Sequence, residues 1–144
     1  MLKHKDNVVV RKSELFADRI SKMCDYLLKV RKGNKDMIRQ INRSGTSIGA
    51  NISEGIYAQS GPDFISKFSI SLKEANETRY WLDRLYNKSL LQQDEYDSML
   101  KDSMELIYIL TSIIKTMKLK QNNIKKKKNS EKIDFILTDD CQQV

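Results

Sequence analysis

The chain has 144 residues, the size of one ordinary domain, and its 26 Lys and Arg against 19 Asp and Glu leave a net charge of +7. Five glycines and one proline are too few for a β-sandwich or barrel with many tight turns, so long helices are expected. Two cysteines, Cys24 and Cys141, cannot form a disulfide scaffold and fit a reducing cytoplasm. The longest apolar run, Leu106 to Leu110, is far shorter than the roughly 20 residues of a membrane span. The first residues lack the apolar stretch of a signal peptide.

Residues 1–12 read as a basic arm, with an extended piece at Val8-Val9-Val10. A first helix is expected from Ser13, as N-cap, to about Lys32, where Gly33-Asn34 marks a stop. Its apolar stripe is Phe16, Ile20, Met23, Leu27 and Val30, the seam of a helix packed at a shallow angle. A second helix runs from near Asp36 to about Tyr57 on Ile38, Ile41, Gly45, Ile48, Ile52 and Gly55. Ser60-Gly61-Pro62-Asp63 then opens a third, reaching about Asn87, with Phe64, Phe68, Ala75, Leu82 and Leu85 on one face. The fourth spans about Gln93 to Lys120, with acids in its first turn and lysines in its last. Together these give an all-α fold, an antiparallel up-down-up-down four-helix bundle over residues 13–120. Residues 121–144 lose the helical period and read as a basic, mostly disordered tail.

Residues 43–55 are poor helix material, because each glycine costs about 1 kcal/mol relative to alanine and Ser, Thr and Asn add smaller penalties. The register of Ile41, Ile48 and Ile52 nonetheless keeps the segment helical. Gly45 and Gly49, with Ser44 and Ser47, offer a nearly bare surface for close helix approach. Beside it, Arg43, Ser47, Asn51 and Glu54 face the level of Glu74 and Glu77 on the third helix, a candidate semi-buried polar network. Such a network is either a ligand or metal site or a device that fixes helix register, and the second reading is preferred. Bundle di-iron sites need a Glu-x-x-His pair from each of two helices, and the single histidine, His4, lies in the arm. No histidine can serve a serine or cysteine nucleophile, and there is no phosphate-binding glycine loop. The reading is of a protein that is not an enzyme and needs no cofactor or metal.

The fourth helix carries a second apolar stripe, Leu100, Met104, Ile107 and Ile114, beside its first. A rim helix of a monomer needs only one, so the surplus points to an oligomer interface. Charge is also uneven along the bundle. One pole gathers Lys3, Lys5, Arg11, Lys12, Lys67, Lys115, Lys118, Lys120, Lys125, Lys126, Lys127 and Lys128 against Asp6, Glu14, Glu54 and Asp63, while the other is nearly neutral. Arg11, Lys12, Lys115, Lys118, Lys120 and Lys125 to Lys128 are therefore the candidate nucleic-acid contacts.

The run Arg43 to Gly55, with Gln59-Ser60, Asp63-Phe64 and the block Leu72 to Leu82, resembles the four-helix bundle family of proteins encoded in 23S ribosomal RNA intervening sequences. That family also includes the accessory variability determinant (Avd) proteins of diversity-generating retroelements. The resemblance spans roughly residues 12–120 and implies a ring-like homopentamer. For the Avd branch it also implies binding to nucleic acid and to a reverse transcriptase. The function expected is electrostatic, largely sequence-independent binding of RNA or DNA, as accessory to a nucleic-acid-handling protein. The alternative is a protein–protein scaffold with no nucleic-acid role.

Overall fold

The computed structural model describes residues 7–140, and within them the chain forms four helices: α1 (Val8–Lys29), α2 (Lys35–Ile56), α3 (Gly61–Asn87) and α4 (Gln93–Asp140). Contacts run antiparallel around the bundle. Ile20 of α1 lies against Gly45 of α2, Ile48 of α2 accepts a hydrogen bond from Ser71 of α3, and Ala75 of α3 accepts one from Ser103 of α4. The fold is the expected all-α up-down-up-down bundle. Phe16, Ile20, Leu27, Ile38, Ile41, Ile48, Ile52, Phe68, Leu82, Leu85, Leu106 and Leu110 fill its core and are almost wholly buried.

Helix ends differ from the sequence reading in two places. The first is α1, which begins at Val8 with Asn7 as its N-cap, accepting from the Val9 amide at 3.1 Å. Ser13 is instead buried in mid-helix, its hydroxyl donating to the Val10 carbonyl at 2.8 Å. Val9 and Val10 are core residues, so burial overrides their extended-chain propensity and residues 8–12 leave the expected arm. Residues 1–6, with His4, Lys3 and Lys5, and residues 141–144, with Cys141, lie outside the described residues.

The second is α4, which continues through Lys120 to Asp140, about 72 Å in all. No glycine or proline follows Pro62, and Lys, Gln and Glu favour a helix without needing a buried face. The segment read as a disordered tail is therefore helical up to Asp140.

Stops and caps are otherwise local. After α1, Lys32 takes the left-handed conformation (φ 47°) and the Gly33 amide donates to the Leu27 carbonyl at 3.0 Å, a six-residue closure. Gly33 itself is required for space, since a Cβ there would lie 2.8 Å from Ile38 Cδ1. Asn34 and Ser60 cap α2 and α3 through the amides of Met37 and Asp63. The α3–α4 turn is pinned by Tyr96, whose hydroxyl donates to Asp83 at 2.5 Å, a bond that with burial pushes its pKa up to about 12.

Helices α1 and α4 meet more sparsely than the other neighbours. Ion pairs bridge this seam: Lys12 with Glu105, Arg19 with Asp102, and Arg31 with both oxygens of Glu95. An open groove of about 490 Å³ remains there, floored by Met23, Leu27, Leu91 and Met99.

Candidate nucleic-acid interface

The start of α3 reaches α4 at Gln121, where a Cβ on Gly61 would overlap the glutamine amide. Beyond that contact the helix leaves the bundle. Every residue from Asn122 to Thr138 is exposed, a free rod of about 26 Å.

The charge of the whole chain resides on this end of α4. From Lys115 to Ser130 there are seven lysines and no acid, while elsewhere 19 basic residues balance 19 acidic ones. Lys115, Lys118, Lys120, Lys125, Lys126, Lys127 and Lys128 are all exposed. Lys127 alone among them has an ion-pair partner within the described residues, Glu131 at 3.9 Å. Where the rod leaves the bundle, Lys115, Lys118, Leu119 and Asn122 line an open groove of about 410 Å³ over Leu72 and Ile114. A second of about 300 Å³ follows between Pro62, Ile65 and Lys118, Gln121, Asn122 and Lys125. Lysine stems resting on an apolar floor keep their ammonium groups in water, ready to meet phosphates.

The other basic candidates contribute less. Arg11 is exposed in the first turn of α1, but Lys12 is held by Glu105 at 2.5 Å, and Lys67 by Glu54 at 2.7 Å. Their charges are locally neutralised.

The polar network is smaller than the sequence suggested. Arg43 donates to both oxygens of Glu77 at 2.7 Å and to Glu74 at 3.3 Å, and Trp81 Nε1 donates to Glu77 at 3.2 Å. The Arg43 bond holds the Glu77 carboxyl below its ordinary value of 4.5. Ser47 and Asn51 turn back onto their own helix, donating to the carbonyls of Arg43 and Ser47, and Glu54 pairs away with Lys67. What joins α2 to α3 in the interior is a set of hydroxyls: Thr78 donates to Ser44 at 2.9 Å and Ser71 to the Ile48 carbonyl at 2.8 Å. In the sequence Ser44 stands out only as part of the bare surface beside Gly45 and Ser71 only as a filler of the apolar register of α3, and Ser103, buried on α4, was missed.

Ser103 also explains why Ile114 reads as part of the second apolar stripe. The core row of α4 is Met99, Ser103, Leu106, Leu110 and Ile114, so Ile114, 7% exposed, belongs to the interior and not to an outer stripe. Leu100 and Ile107 are half-buried, and Met104 is 40% exposed beside Arg79. With Tyr108, 75% exposed, Met104 forms an outward apolar spot on α4. Among the described residues no cluster of three His, Cys, Asp or Glu side chains could hold a metal ion, and no helix is long and apolar enough to cross a membrane.

The profile of the family described as "23S rRNA-intervening sequence protein" matches residues 5–112. Among solved structures, a protein with unknown function from the S23 ribosomal protein family of Bacteroides thetaiotaomicron VPI-5482 is 49% identical, with a TM-score of 0.73. The match covers 99% of that protein and 75% of this one. Comparison with curated proteins gives no match. The family match ends before Lys115, so the lysine-rich end of α4 lies beyond it.

Proposed function

Given that this chain belongs to the 23S rRNA-intervening sequence protein family, we propose that it is a non-enzymatic bundle protein that binds RNA or DNA through the lysines at the end of α4. The observation that carries this reading is the placement of charge: all the excess positive charge falls between Lys115 and Lys128, on the last turns of α4 in the bundle and the rod that follows them. Seven phosphate contacts from one helix give binding that depends steeply on salt and little on sequence. A ring of five copies, the assembly implied by the family resemblance, multiplies that field. Arg11 adds one exposed positive charge at the start of α1.

The test is charge reversal. Changing Lys115, Lys118 and Lys120 to Glu should abolish retention of nucleic acid on a column at low salt and leave the solution mass unchanged. Full retention by this variant refutes the proposal. The rival scaffold reading draws on the outward Met104 and Tyr108. It predicts an oligomer of unchanged mass that carries no nucleic acid in the unaltered protein.

A further inference from the structure

We propose that the free end of α4 enters the major groove of a B-form DNA duplex, lysines on its two flanks holding the phosphates of both strands. The inference rests on the nucleic-acid reading above and narrows it to one ligand class and one mode of binding.

At about 100° per residue, positions seven apart return to nearly the same direction. Lys118 and Lys125 therefore form one row along α4, and Lys120 and Lys127 form another on the opposite flank. Between the two rows, turned away from the side that continues the core stripe, run Asn122, Asn123 and Lys126. All seven side chains are exposed. A single phosphate track would be served by one row of lysines. Two rows with amides between them match a groove that has a strand on either side and base edges at its floor. Asparagine suits the N6 and N7 positions of adenine, and lysine suits O6 and N7 of guanine.

Width selects the duplex. A helix with its side chains is about 10–12 Å across, and the major groove of B-form DNA is about 12 Å wide. The major groove of A-form RNA is deep and too narrow for side chains to read. Single strands are held largely by stacking on aromatic rings, and no aromatic residue occurs between Lys115 and Ser130. Glu131 and Asp134 end the site, because carboxylates repel phosphates. The Lys127–Glu131 pair is exposed on both sides, so a phosphate displaces it at little cost.

The experiment is fluorescence anisotropy with the full chain at roughly 50 mM salt. It compares a DNA duplex of about 20 base pairs, the RNA duplex of the same sequence, and the single strands. The DNA duplex should bind at least about tenfold more tightly than the others. Methyl green, which occupies the major groove, should displace the protein, whereas distamycin in the minor groove should not. K125Q with K127Q should lower the slope of log affinity against log salt by about 2. N122A with N123A should keep that slope and flatten differences between duplex sequences. These positions are exposed, so unchanged circular-dichroism melting separates binding loss from unfolding. RNA or single strands bound as tightly as duplex DNA, or indifference to methyl green, overturn the groove proposal and leave the nucleic-acid reading standing. Absence of binding to every nucleic acid overturns both.

Discussion

Gly45 and Gly49 lie one turn apart in the interior of α2 and both face α1, yet the structure assigns them opposite tolerance to alanine. A Cβ at Gly45 would sit 2.9 Å from both Cγ1 and Cγ2 of Ile20, a fully buried and β-branched side chain with little rotamer freedom. A Cβ at Gly49 would sit 3.3 Å from Ser13 Oγ, a distance that a shift of a few tenths of an ångström relieves. Both substitutions gain about 1 kcal/mol of helix propensity, which cancels in the comparison. What remains is overpacking at Gly45, typically about 1–3 kcal/mol. Gly49→Ala should therefore be neutral or stabilising, and Gly45→Ala should lie about 1–3 kcal/mol below it. For a chain of this size that separates the melting temperatures by roughly 3–10 °C. Urea unfolding followed at 222 nm, at equal protomer concentration, measures the difference. Equal midpoints, or Gly49→Ala below Gly45→Ala, would refute the packing described for α1 and α2.

Further outcomes follow from the interior and the surface pairs. Thr78→Val keeps the shape but removes the buried bond to Ser44, and urea unfolding should show a loss of about 1 kcal/mol. The carboxyls of Glu77 and Glu95 are both held below their ordinary value by arginine hydrogen bonds. Their stabilisation is therefore present above the ordinary carboxylate range and is lost as pH falls through the lowered values. In acid titrations, Glu77→Gln should make the fall in stability shallower, and an identical acid limb would contradict the Arg43 pairing. Burial, with the Asp25 charge, pushes the Cys24 thiol up to about 12. In a Cys141→Ser background, a thiol reagent at pH 8 should label Cys24 only after denaturation.

How far the sequence disclosed this structure depended on whether tertiary burial left a periodic trace. The helix through Arg43–Gly55 was legible despite its glycines, because Ile41, Ile48 and Ile52 keep one register and all three are buried. The start of α1 was not. Three consecutive valines suggest extended chain, and only the burial of Val9 and Val10 reveals the extra turns. On α4, a serine in the core row broke the apolar pattern and moved Ile114 to the wrong face. The helix beyond Gln121 left no periodic signal, since it packs on nothing and depends on local propensity alone. At the candidate interface the lysines themselves were plain in the sequence. Their union along one continuous helix that runs out of the bundle, and the neutralisation of Lys12 and Lys67 by Glu105 and Glu54, required the fold.

The placement of nucleic-acid binding on the end of α4 is tested most directly by the salt dependence of affinity in the full chain with Lys125, Lys126, Lys127 and Lys128 changed to Gln. Each phosphate contact contributes about −0.9 to the slope of log affinity against log salt on duplex DNA. Loss of these lysines, of which Lys125 and Lys127 meet phosphates, should make the slope shallower by at least about 2, with the bundle's melting unchanged. An unaltered slope would place the contacts elsewhere and contradict the account.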